Sequence, residues 1–167
     1  MKWFLGISVF LVLGVAAAEA SDGAVRIARY GVSMTVPAKW HGRIYERPGG
    51  LPILHAANFR LPANDDDFAT KGTLRMGSEG ILIVLLESRT KNGFKYARLP
   101  IRIQRSDFLS RFKGIPPSHA FALRRFTTRS RRFSLWVQFG QRRPSNAMMS
   151  RANIVLGTLL ITAQRFP

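Results

Sequence analysis

The chain has 167 residues, a net charge of +17 and no cysteine, which excludes disulfides, thiolate metal sites and a cysteine nucleophile. Apolar residues make up 46% of it, enough for a chain of this length to bury a core without covalent staples.

The first twenty residues pattern as an export signal. Lys2 is followed by an apolar stretch from Trp3 to Val15 and then by Ala18-Glu19-Ala20, the order of a secretory signal peptide cut after Ala20. The apolar run falls short of the roughly 20 residues that span a bilayer, and no cysteine follows it to carry a lipid. Residues 1–20 are therefore expected to be a signal peptide and residues 21–167 one secreted or extracytoplasmic domain. No internal repeat or linker divides the latter.

Val32, Met34 and Val36 alternate with Ser33 and Thr35, which predicts a half-buried strand ended by Pro37. A second strand is expected over 42–46, a turn at Pro48-Gly49-Gly50 and a third strand over 52–59. Pro62 to Asp67 breaks the pattern, with Asn64 or Asp65 placed to cap a short helix. The run Gly80–Glu87 is apolar on both faces, as suits a central strand, and Lys91-Asn92-Gly93 supplies turn chemistry after it. Ile101 and Ile103 suggest a short strand. Ser106-Asp107 predicts a helix start, with Phe108, Leu109 and Phe112 at helical spacing.

The stretch RRFTTRSRRFSLWVQFGQRR, Arg124 to Arg143, holds seven arginines and no acidic residue. Strands are expected over 120–126 and 133–139, joined by a polar turn over 127–132. Phe133, Leu135, Val137 and Phe139 then share one face, and Ser134, Trp136 and Gln138 the other. Ser145 is placed to cap a helix reaching about Leu156, with Met148, Ala152, Val155, Leu156 and Leu159 as its apolar stripe. Gly157 fits a C-cap, and residues 159–162 a last short strand. The class predicted is α+β, an antiparallel sheet with flanking helices.

Charge is unevenly spread. Residues 21–93 carry 10 Lys/Arg against 7 Asp/Glu, whereas residues 94–167 carry 15 against 1. The second half should attract anions such as envelope polymers, membrane headgroups or nucleic acid. Arginine outnumbers lysine 20 to 6, which codon bias explains equally well. The candidate anion-binding residues are Arg124, Arg125, Arg129, Arg131, Arg132, Trp136, Arg142 and Arg143. Trp136, expected near Arg124 and Phe126 across the hairpin, would stack bases or sugars if exposed. Packing beneath a covering helix is the favoured alternative, because large aromatics are mostly buried.

Four segments in order, GVSMTVPAKW (31–40), GILIVLLES (80–88), RRFSLWVQFG (131–140) and ANIVLGTLLI (152–161), resemble small uncharacterised secreted bacterial proteins with a PsbP-like α/β/α fold. The resemblance implies an accessory or binding role and carries no catalytic signature.

No motif fixes a chemistry. His41, His55 and His119 lack metal-ligand spacing and are each expected at the surface or half-buried. Asp65-Asp66-Asp67 lacks the calcium-loop alternation. There is no Gly-x-Ser-x-Gly elbow, and no carboxylate pair recommends itself for glycoside hydrolysis. The expectation is a secreted, non-enzymatic accessory or binding module of the cell envelope, without cofactor or metal. A secreted nucleic-acid binder and an envelope hydrolase with an unrecognised carboxylate site are the alternatives.

Overall fold

The computed structural model describes residues 23–47, 50–90 and 92–163. The expected signal peptide, and Pro48, Gly49 and Lys91 of two expected turns, lie outside the described residues. In chain order the elements are β1 (Val25–Arg29), β2 (Val32–Val36), β3 (His41–Arg47), β4 (Leu51–Ala57), α1 (Thr70–Arg75), β5 (Ile81–Glu87), β6 (Lys95–Tyr96), β7 (Ala120–Thr128), β8 (Arg131–Phe139), α2 (Asn146–Leu156) and β9 (Leu160–Ile161).

The mixed α+β class holds, but the strands form two sheets. A six-stranded sheet runs β3-β4-β5-β8-β7-β6 and a three-stranded one runs β1-β2-β9. Every pairing is antiparallel except β6 with β7. The doubly apolar run at Ile81–Glu87 occupies the middle of the large sheet between β4 and β8, and all seven of its residues are buried. A strand covered on both faces has no use for alternation.

The two faces bury different cores. On the first face Ile81, Ile83 and Leu85 of β5 and Phe133, Leu135, Val137 and Phe139 of β8 pack with the small sheet and with Met148, Ala152, Val155 and Leu156 of α2. Ser145 caps α2 as expected, its Oγ accepting from the Met148 N–H. On the second face Leu82, Val84 and Leu86 pack with Ile53, Phe121 and Trp136 under a cover that includes Ala69 and Met76. That cover is held by its acidic loop. Asp65 accepts from the N–H groups of Lys71 and Gly72, and Asp66 from those of Phe68 and Thr70, which satisfies the open donors at the start of α1.

Two expectations are corrected. Residues 106–112 are not a helix: a single 3-10 turn at Arg105–Asp107 closes when the Asp107 carboxylate accepts from the Gln104 N–H. Phe108 then stacks on Phe139 of the first core, while Phe112 stacks on Phe121 of the second face, so their spacing never described one helix surface. Ile103 is buried without a strand neighbour, because the Asn153 side chain of α2 both accepts from its N–H and donates to its carbonyl. Among the described residues no helix is long and apolar enough to cross a membrane.

Candidate functional site

The β7–β8 hairpin is longer than its sequence suggests, and this decides the fate of its arginines. Pairing continues to Thr128 opposite Arg131, so the turn is only Arg129-Ser130, with φ of 49° and 63°. Two consecutive positive φ values are those of a type I′ turn, which normally selects Asn and Gly. The sequence therefore carries none of the usual signal for it. Arg131 and Arg132 sit in the strand and not in a solvated turn.

Arg131 faces the first core. Its Nε donates to Glu87 Oε1 at 3.2 Å and its Nη2 to Glu87 Oε2 at 2.8 Å. Nη2 also reaches the Tyr30 carbonyl at 3.1 Å, while Nη1 reaches those of Gly31 at 3.1 Å and Thr162 at 3.2 Å. A guanidinium has five N–H donors, and all five are engaged. Arg131 is thus a clasp between the two sheets, with no donor for an external anion. Its assignment as an anion contact is corrected on that ground.

The other expected residues separate. Arg124 also lies on the first face, opposite Leu135, where it donates to the Arg102 carbonyl and approaches Asp107 at 3.8 Å. The cross-strand neighbours of Trp136 are Leu123 and Val84, not Arg124. Exposed Arg125 and half-buried Arg132 share the second face with Trp136, nearer the turn, and Arg129 is exposed in the turn itself. Arg142 and Arg143 are exposed beyond the far end of β8. The nine residues of β8, at about 3.4 Å per step, hold the two arginine groups roughly 27 Å apart. A hollow of about 340 Å³ near the turn is lined by Glu87, Ser88, Arg89, Ser130, Arg131, Arg132 and Ala163; its buried carboxylate is the one clasped by Arg131.

Two larger features lie near Trp136, one on the second face and one at the start of β7, where Phe108 and Ala120 of the first core also line it. Trp136 is 7% exposed, so it packs under a cover as the favoured alternative had it. The cover, however, is an exposed aromatic: Phe68 stacks on Trp136 with ring centroids 4.9 Å apart. Beside them Phe112 stacks on Phe121 at 4.4 Å. These four rings, with Thr70, Thr73, Lys113 and Gln138, border a cleft of about 350 Å³. A second cleft of about 650 Å³ adjoins it, sharing Phe112, Ile115 and Phe121, and is lined also by Arg105, Arg111, His119, Arg142 and Arg143. Arg105 is tied to the Pro144 carbonyl and Asn146. Burial holds His119 below the ordinary histidine pKa. Among the described residues no carboxylate lines either cleft.

Phe68, Phe112, Phe121, Arg111 and Gln138 are the site residues that sequence reasoning missed. Two of the rings sit in irregular segments, where no periodicity marks them. Gln138 did carry a signal: it is a polar residue in a strand position that turns out 1% exposed, and buried polar groups call for an explanation.

A buried histidine serves the scaffold. His55 is fully buried, a correction to the expectation that it is at the surface or half-buried. Its Nδ1 lies 3.4 Å from Arg43 Nη2 and its Nε2 3.2 Å from the Asp67 carbonyl. Arginine only donates, so Nδ1 accepts and the single proton sits on Nε2. Burial pulls the His55 pKa down to about 4, helped by the charge of Arg43 and opposed by the Asp67 carbonyl. Among the described residues no three His, Asp or Glu side chains converge as metal ligands. Comparison of the chain with protein-family models, with curated proteins and with solved structures finds no match.

Proposed function

We propose that the protein is a non-enzymatic binding module of the cell envelope, acting outside the cytoplasm, that holds an anionic polymer across the two adjoining clefts beside Phe112 and Phe121. The observation that carries this reading is their shared wall. An aromatic hollow opens beside one whose rim bears Arg111, Arg142 and Arg143, so apolar contact and cationic attraction are offered to one ligand. Neither lining brings carboxylates together, which favours holding over hydrolysis. The export pattern of residues 1–20 supports the location. The large sheet, packed against α2 on one face and the α1 segment on the other, supports a PsbP-like arrangement.

Retention on immobilised polyphosphate tests the reading. Binding should weaken steeply with salt, and Arg142→Ala/Arg143→Ala should lower the log–log slope by about one unit per lost contact. Arg129→Ala/Arg132→Ala, at the other end of the hairpin, should leave the slope unchanged. Retention that is indifferent to salt would overturn the proposal.

A further inference from the structure

The floor of the aromatic cleft contains an unanswered polar group. Thr73 Oγ1 lies 3.0 Å from the Ala69 carbonyl and 2.8 Å from the Gln138 amide. A hydroxyl has one proton. If it goes to the Ala69 carbonyl, Thr73 accepts from the Gln138 NH2 and the amide oxygen is left over. If it goes to the amide oxygen, the NH2 is left over. In either orientation one polar group of a side chain that is 1% exposed has no protein partner among the described residues, on a residue that lines the cleft.

A purely apolar occupant would seal that group away from water unpaired, which is unfavourable. The walls are aromatic rings and ask for a flat partner. The adjoining rim is cationic. A flat ring with donors and acceptors along one edge, joined to anionic groups on both sides, is a nucleotide unit within a strand. We propose that the cleft holds one unstacked base of a single-stranded nucleic acid, its edge on Gln138 and its face on the exposed rings of Phe68 and Phe112, which Trp136 and Phe121 back from beneath, with neighbouring phosphates on Arg111, Arg142 and Arg143. This rests on the binding reading above and names which anionic polymer is held. A duplex hides its base faces and edges from such a cleft.

The test is competition against a labelled single-stranded oligothymidylate at one fixed salt concentration, using the purified protein. The competitors are the unlabelled strand, an abasic phosphodiester oligomer of equal charge, and a duplex. The unlabelled strand should compete at least about tenfold better than the other two, the scale of one stacked base. Phe112→Ala and Gln138→Met should each shrink that margin several-fold while leaving the affinity for the abasic oligomer unchanged. Equal competition by the abasic oligomer or the duplex, or a margin intact in the variants, overturns this inference and leaves anion binding standing. If none of the three binds, the broader reading fails with it. Phe112 is 41% exposed, so its variant retains the fold and decides the matter if Gln138→Met does not.

Discussion

Arg131 and Glu87 are the most deeply buried opposite charges in the described residues, with side chains 5% and 2% exposed. Removing one member of such a pair strands the other, at a cost of about 3–5 kcal/mol. Arg131→Met should lose that much stability in urea unfolding, and here the Tyr30, Gly31 and Thr162 carbonyls each lose the Arg131 donor as well. Arg131→Lys should recover little, because one ammonium cannot reach in both directions. His55 gives the second residue-level expectation. It is neutral when folded, with a pKa near 4, and returns to an ordinary value near 6.5 on unfolding. Its contribution to stability is therefore complete above about pH 6.5. It declines by about 1.4 kcal/mol per unit as the pH falls towards 4, and levels off below that. Urea midpoints followed from pH 7.5 to 4 should show this decline, and His55→Gln should flatten it.

Among the elements, the β7–β8 turn holds an arginine and a serine at positive φ, a conformation that costs a side-chain-bearing residue roughly 1–2 kcal/mol. Replacing Arg129-Ser130 with Asn-Gly should raise stability by about 1 kcal/mol or more in thermal or chemical unfolding. The same turn shows where the sequence was legible and where it was not. β5, β8 and α2 announced themselves through apolar runs, alternation and a serine cap, because each buries a continuous face. The extent of the hairpin did not, since its closing residues are ones that turn statistics disfavour. β1 was unannounced for the opposite reason: four of its five residues are exposed, so no apolar face marks it. Ile103 was correctly apolar but wrongly placed in a strand, because its hydrogen-bonding partner is a side chain 50 residues away.

At the scale of the whole molecule, the candidate arginines of the positive half do not gather on one surface. The fold sends Arg131 inward, turns Arg124 to the first face and leaves the remaining candidate arginines towards the two ends of a long hairpin. That separation exceeds the screening length of about 8 Å at physiological salt, which is why the Arg129/Arg132 variant serves as a silent control for the Arg142/Arg143 one. Net charge was readable from composition; its partition depends on register, which composition does not contain. The aromatic cleft was half readable. Trp136 stood out, but the rings that enclose it come from segments 68 and 112, distant in sequence and without regular structure.

Phe112 and Ile115 sit on a stretch between residues 109 and 119 that has neither helix nor strand, yet they face both hollows. A partition of this kind belongs to both volumes at once: the same side chains bound each of them, so truncating Phe112 reshapes the two chambers together and merges part of their space.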